Sequence, residues 1–134
     1  MAGVCKVRTV VNITGLGDEV TMDSGEVTMT VPVEIHKGYT VVATATTTAI
    51  ALFAMIAHIA LAKIYGVYIK AEAGTIYIVV DTAATTTIAA ADADLVLNEG
   101  ESCWLPINPD GNLGLSIDGE DNTAAFSFVF VGEA

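Results

Sequence analysis

The sequence predicts an all-β fold, an antiparallel β-sandwich of jelly-roll type with about eight short strands. The composition is 53% apolar but only 7% aromatic, and Ala, Val, Ile and Thr dominate, which favours packed, extended backbone. Several segments alternate apolar and polar residues with a period of two. Clusters of Gly, Asn, Asp and Pro separate these segments, as turns do. Because the chain is long enough for one sizeable core only, we expect residues 1–134 to form a single domain.

The N-terminal half contains three strand-like segments. Val4–Ile13 precedes a turn-prone stretch with two glycines, which can take positive φ. Glu26–Ile35 alternates apolar and polar residues, which predicts one face in the core and one in solvent. Pro32 cannot donate a hydrogen bond to a neighbouring strand, so it is expected at an edge or a bulge. Tyr39–Leu52 is rich in Val and Thr and is predicted to be extended.

An apolar run from Ala49 to Ala62 is interrupted only by His58. It is shorter than the roughly twenty residues of a membrane-spanning helix, so no membrane partner is expected. Residues 53–61 fit a short buried helix or a strand buried on both faces, and a strand is the preferred interpretation. Any part that stays exposed would form a patch for self-association, which makes Phe53, Met55 and His58 candidate interface residues.

The C-terminal half has a clearer strand pattern. Apolar residues on both sides of Ala71–Gly74 predict a hairpin of two antiparallel strands. Phe126 and Phe128 lie on one face of the segment with the clearest alternation, which is expected to be a core or interface strand. The later strands, separated by turn-forming clusters, are Leu95–Leu97, Ser102–Ile107, Leu113–Ile117 and Ala124–Val131.

The charge is unevenly distributed along the chain. Residues 1–70 carry five acidic and five basic residues, whereas residues 71–134 carry eleven acidic residues and no Lys or Arg. Nucleic-acid binding needs Lys or Arg against phosphate, so no direct contact with DNA or RNA is expected. The acidic half is interpreted as a solvated surface, with the alternative that the neutral half faces a partner.

Cys5 and Cys103 are far apart in the sequence and have no metal-binding spacing. Buried free thiols are the preferred interpretation, and a disulfide that ties the N-terminal strand to a later one is the alternative. No basic region precedes an early apolar stretch, so no secretion signal is expected and the chain is assigned to a reducing cytoplasm.

The sequence offers little that predicts catalysis. His58 lies in the most apolar run and His36 near a strand end, and neither indicates a general base. The acidic stretches Asp92–Glu99 and Asp118–Asn122 match no EF-hand and are interpreted as turns that bond their own backbone. No glycine-rich phosphate loop is present. We therefore expect no catalytic residue, no metal, no cofactor and no enzymatic activity.

Trp104 is the remaining candidate for a functional residue. A lone tryptophan in a small β domain indicates a core position or a subunit contact, so Trp104 is added to the candidate interface with Phe126 and Phe128. An alternative function is a carbohydrate- or receptor-binding module that uses Trp104, Tyr65 and the acidic loops. A small hydrolase that uses His58 and the loop acids is a third hypothesis.

The segments Lys63–Thr75 and Leu97–Trp104 resemble small β-sandwich virion proteins of tailed bacteriophages, in particular the decoration, or cement, proteins of capsid shells. The likeness extends to the Thr- and Ala-rich strands and the acidic second half. It implies a non-catalytic jelly-roll subunit, typically a homotrimer, made in the host cytoplasm and located on the capsid surface of the virion. Its partners would be the major capsid protein and further copies of itself, and it would stabilise the shell against genome pressure. The binding-module alternative would belong to a phage or bacterial surface assembly.

Overall fold

The fold is described from a computed structural model of the chain. The structure describes residues 3–15, 17, 19–29, 34–41, 50–51, 64–80, 88–108, 114–121 and 123–132. The strands are β1 (Cys5–Val7), β2 (Val10–Ile13), β3 (Val20–Asp23), β4 (Val27–Met29), β5 (Glu34–Val41), β6 (Ile50–Ala51), β7 (Ile64–Ala73), β8 (Ile76–Val80), β9 (Leu95–Leu97), β10 (Ser102–Pro106), β11 (Leu115–Gly119) and β12 (Ala125–Gly132). One turn of 3-10 helix lies at Ala90–Asp92.

Strands β5–β12 form two four-stranded antiparallel sheets. Sheet 1 has the strand order β10-β7-β12-β5, and sheet 2 has the order β6-β11-β8-β9. The strand pairs are nested: β8 pairs with β9, β7 with β10, β6 with β11, and β5 with β12. This is the pairing of a long antiparallel hairpin that has been rolled up, which is the jelly-roll arrangement. The predicted all-β, jelly-roll-like sandwich is therefore confirmed.

The core lies between the two sheets and is dominated by phenylalanines of β12. Phe126 and Phe130 are fully buried and Phe128 is 2% exposed, since alternate residues of a strand face the same side. The Phe128 ring packs edge-on against Phe130 with centroids 5.6 Å apart. On β5, a Cβ at Gly38 would lie 2.6 Å from this ring, so glycine is what allows Phe128 to lie against the strand. Further core residues are Ile64, Val67, Ile69, Ile76, Ile78, Leu115 and Ile117.

The predicted hairpin around Ala71–Gly74 is wrong in its pairing. The tight turn is present, with Gly74 at φ 63°, but β7 belongs to sheet 1 and β8 to sheet 2. The turn therefore carries the chain across the sandwich. Each strand has longer-range partners: β7 pairs with β10 and β12, and β8 pairs with β9 and β11. Alternation identified the buried face of each strand but not its neighbours.

The first four strands form a two-stranded ribbon, which we call the arm (residues 3–29). β1 pairs with β4 and β2 pairs with β3. Between these two pairs the returning strand has one extra residue, since Ser24–Glu26 lies opposite Arg8 and Thr9, and Gly25 takes a φ of 68°, as at a β-bulge. The predicted strand Val4–Ile13 is thus divided into β1 and β2, and β3 is a strand that the sequence analysis did not identify.

The prediction of one core-facing strand at Glu26–Ile35 is wrong. Val27 belongs to the arm and is 57% exposed, whereas Ile35 belongs to β5 and is 59% exposed. The physical reason is that β4 pairs only with β1 in the described structure, so no second layer covers Val27. Pro32 and the helix-or-strand alternative for residues 53–61 lie outside the described residues. Among those that are described, no helix has the length and apolar character needed to cross a bilayer.

We expect Phe126→Ala to lower the free energy of unfolding by about 3–5 kcal/mol, because the lost ring leaves a cavity between the sheets. Val96→Ala, on the exposed side of sheet 2, is the control and should change stability by less than about 0.5 kcal/mol. Urea denaturation followed by circular dichroism measures both. Equal, small effects of the two substitutions would contradict the assignment of Phe126 to the core.

Candidate functional site

The outer face of sheet 1 carries a row of side chains from all four strands. The register aligns Trp104 of β10 with Tyr68 of β7, Val129 of β12 and Lys37 of β5. Directly opposed residues of an antiparallel pair lie on the same side of the sheet, so these four side chains are neighbours. Tyr68 and Lys37 are exposed, and Trp104 and Val129 are half-buried. We call this surface the outer face.

Trp104 lies flat against the backbone of its neighbouring strand. A Cβ built on Gly66 would come within 2.3 Å of Trp104 Cζ2 and 2.4 Å of Cη2. The absence of a side chain at Gly66 therefore determines where the indole lies. Trp104, predicted to be a core or contact residue, is positioned by its own sheet with part of its ring accessible on the outer face.

The root of the arm lies against the outer face and forms a groove with it. The groove has a volume of about 750 Å³ and is lined by Cys5–Val10 of the arm and by Tyr68, Ser102, Cys103, Trp104, Val129 and Val131 of the sheet. Val131 is only 4% exposed although the register places it on the outer face, opposite Gly66. One side of the outer face is thus already close to the chain's own arm.

The distal half of the arm, strands β2 and β3, has an apolar and a more polar face. The register pairs Val11 with Met22, and these share a face with the next apolar pair, Ile13 and Val20. All four side chains are exposed, and Met22 is 68% exposed. The opposite face carries Val10, Asn12, Thr21 and Asp23, where the Thr21 hydroxyl donates to Asn12 Oδ1 at 3.0 Å. The distal arm therefore presents an apolar surface that no described residue covers.

Ion pairs join the two strands near the root of the arm. The Arg8 guanidinium donates to both carboxylate oxygens of Asp23, with Nε to Oδ1 at 3.1 Å. Lys6 Nζ lies 2.9 Å from Glu26 Oε1. The Arg8 hydrogen bond, followed by one from the Gly25 N–H, holds the pKa of Asp23 below its usual range. Since these groups are exposed, the pairs add little stability, but they balance the positive charges of Lys6 and Arg8 within the arm.

The acidic loops gather where three turns cross between the sheets. The carboxylates of Glu99 and Glu120 accept hydrogen bonds from the N–H groups of Gly74 (3.4 Å) and Thr75 (3.1 Å). Asp121 accepts one from the N–H of Thr123 at 2.8 Å. Of these, only the Asp121 contact matches the predicted turns that bond their own backbone, because Glu99 and Glu120 bond the backbone of the turn between β7 and β8. In the described part of the chain, no group of three or more His, Cys, Asp or Glu residues is arranged to hold a metal ion.

The structure separates the residues predicted to form an interface. Trp104 is at the outer face, whereas Phe126 and Phe128 occupy the core, so their rings are not part of the chain's surface. The predicted interface residues Phe53, Met55 and His58 lie outside the described residues.

The structure also places two aromatic residues named in the binding-module hypothesis and one histidine. Tyr68, and not Tyr65, is the partner of Trp104 across the β7–β10 pair. His36, expected at a strand end, lies within β5 opposite Phe130.

The apolar face of the arm was not predicted from the sequence. The available signal was the period-two pattern of Val11 and Ile13, mirrored by Val20 and Met22 across a turn with two glycines. A hairpin read from these residues would have identified four apolar side chains on one face. The partner of Trp104 could not be read in this way, because it depends on which strand lies beside β10.

The two thiols are free, as preferred from the sequence, but they are half-buried and not buried as expected. Burial raises the pKa of both Cys5 and Cys103. Both line the groove, but Cys103 packs against the core while its neighbour Trp104 lies on the outer face. The Cys103 side chain is therefore on the core side of sheet 1, whereas the arm with Cys5 lies against the outer face. The backbone of the sheet separates the two thiols.

No protein-family model matches the chain, and a search of curated proteins finds no similar sequence.

We expect Gly66→Ala to displace the Trp104 indole and to lower stability by about 1–3 kcal/mol, because the new methyl group and the ring cannot share the space. Trp104 is the single tryptophan, so its fluorescence reports the change directly as a shift to longer wavelength. Ser102→Ala, on the same face of β10, should leave the emission unchanged. An unaltered Gly66→Ala spectrum would show that the ring does not lie on β7.

We expect the thiols to react with Ellman's reagent more slowly at pH 7 than an unstructured cysteine does. A raised pKa leaves less thiolate at neutral pH, so the rates should increase as the pH approaches and passes the raised pKa values. Cys5→Ser and Cys103→Ser separate the two rates. Rapid formation of an intramolecular disulfide with oxidised glutathione, detected by mass spectrometry, would contradict the placement of the thiols on different sides of β10.

Proposed function

We propose that this protein is a non-catalytic structural subunit of a larger assembly, most specifically a capsid decoration protein of a tailed bacteriophage. In this role it binds the major capsid protein at the surface of the head and associates with itself as a small homo-oligomer, a homotrimer. The observation that carries the proposal is the uncovered apolar face of the distal arm.

An isolated two-stranded hairpin is marginally stable in water and needs a third strand or a packing surface. Apolar side chains grouped on one face and bare to solvent are typical of a protein–protein contact. On the arm, this group consists of Val11, Ile13, Val20 and Met22. A subunit whose arm is completed only by a neighbour is suited to building an assembly.

The phage setting is supported by the sequence resemblance and is compatible with the fold, since jelly rolls occur in viral capsid proteins. Fold alone does not determine function, because lectins and cupins share this architecture. The charge distribution adds a second argument. The exposed acidic residues Glu99, Glu120 and Asp121 lie in turns at one end of the sandwich, whereas the outer face carries the exposed Lys37.

A carbohydrate-binding module is the second candidate, favoured by the exposed Tyr68 beside the positioned indole of Trp104. Aromatic faces of this kind can stack on sugar rings, as they do on other apolar partners. A glycan array with the intact protein and with Trp104→Ala separates the two functions. Binding that disappears in the variant would favour the module, and an array without binding would remove it.

We expect the intact chain to be a stable oligomer at micromolar concentration, measured by size-exclusion chromatography with light scattering. Replacing residues 10–23 by an Asn-Gly turn should give monomers, because the apolar face is lost while the sandwich remains. The control is thermal unfolding by circular dichroism, which should still show a cooperative transition for the shortened chain. A wild-type protein that stays monomeric up to about 100 μM, a concentration that reveals even weak association, would contradict the proposal.

A further inference from the structure

We propose that the apolar face of the distal arm docks on the outer face of sheet 1 of a second copy, in a cyclic exchange in which each arm reaches the next subunit. This inference rests on the proposed function, because it names the surface through which the copies associate. The second copy's arm docks on the region of the outer face that the root of the chain's own arm does not cover.

The same side of the arm is partly covered at its root and bare toward its tip. Alternation along residues 5–13 assigns Cys5 and Val7 to the side that carries Val11 and Ile13. Cys5 and Val7 are half-buried where the arm meets its own sheet, whereas Val11 and Ile13 are exposed. The apolar side of the arm is thus longer than the part of sheet 1 that covers it. The outer face of a second copy could cover the remaining, distal part.

The outer face offers such a surface beside the groove. A shallow depression of about 390 Å³ is lined by Lys37, Gly38, Tyr68, Ser127, Phe128 and Val129. It shares Tyr68 and Val129 with the groove, so the two lie next to each other. Ile35 and Tyr39 of β5 are 59% and 63% exposed, and the register places them on the same side as Lys37. This half of the outer face is apolar at its margins and open.

Exposed apolar side chains are concentrated on these two surfaces. Of the twelve large exposed hydrophobic residues in the described structure, seven lie on the arm, three on the outer face and two on sheet 2. The three on the outer face are Ile35, Tyr39 and Tyr68. Outside the arm, the outer face therefore carries more of these residues than sheet 2 does, among the residues that the structure describes.

Charge also favours this position over the rest of the body. Glu19 is exposed next to the start of β3, toward the tip of the arm, and the end of the sandwich with the acidic turns would repel it. Lys37 is exposed on β5, the edge strand of the outer face. The acidic side chain of Glu19 on the arm and the exposed lysine on the receiving face are complementary in charge.

The occupant is a second copy because each chain carries both surfaces. A four-residue apolar face is small compared with the roughly 800 Å² per partner that a stable complex buries. A closed ring uses each arm once and each outer face once, so every subunit makes two such contacts without requiring any other surface. Three subunits joined in this way form the proposed homotrimer.

The test compares dissociation constants of full-length variants by analytical ultracentrifugation. Met22→Asp places a charge on the apolar face of the arm and should weaken association by at least about tenfold. Thr21→Asp is the matched control, because the adjacent residue lies on the polar face, and it should change the constant less than about threefold. Thermal unfolding of each variant checks that the sandwich is intact.

A second pair of variants tests the receiving surface independently of the arm. Tyr39→Ser removes an exposed ring from the outer face and should weaken association by about fivefold or more. Val96→Ser makes a comparable change on the exposed side of sheet 2 and should have no effect.

The outcomes separate this inference from the proposed function. An oligomer that responds equally to Met22→Asp and Thr21→Asp would overturn the docking of the arm but leave a self-associating subunit in place. Sensitivity to Met22→Asp with no effect of Tyr39→Ser would show that the arm contacts another surface, such as a second arm, and would also overturn it. A wild-type chain that never associates would overturn both.

Discussion

The central position of β12 in sheet 1 is the constraint on which the structure depends. This strand pairs along its whole length with β5 on one side and with β7 on the other, and its three phenylalanines fill the space between the sheets. Without it, β5 would have no neighbour and β7 only β10. Because these pairings join distant parts of the sequence, the sandwich is expected to form cooperatively rather than hairpin by hairpin.

The same constraint creates the outer face. While the phenylalanines of β12 point inward, Ser127 and Val129 point outward between strands that contribute Tyr68 and Lys37. Gly66 then allows the Trp104 ring to lie across β7 and extend the surface to the edge of the sheet. A surface of this composition beside an arm with a bare apolar side is the arrangement that favours a role in assembly over a role in chemistry.

The positions of the later strands and their buried faces could be predicted from the sequence. The strands beside which each of them lies could not. The strands from β9 to β12 were located because alternation and turn residues are local signals. The apolar–polar alternation is the same whether β7 and β8 form a hairpin or face each other across a sandwich. The jelly-roll class could therefore be predicted from the sequence, but the pairing of individual strands could not. For Phe126 and Phe128, core and interface remained equal alternatives because both environments select apolar rings. Val27 and Ile35 were assigned to the core for the same reason, although their cover is not supplied by the described chain.

The order of the strands along the chain has a consequence for biosynthesis. The arm is translated long before Ala125–Gly132, the strand that completes sheet 1. In the proposed assembly, a chain that is still being synthesised would therefore have its arm but not yet the outer face on which a neighbour's arm docks. Only a finished subunit has the complete sheet on which a neighbour's arm can dock. An unfinished chain could donate its own arm but could not accept another, so the topology itself would limit its incorporation.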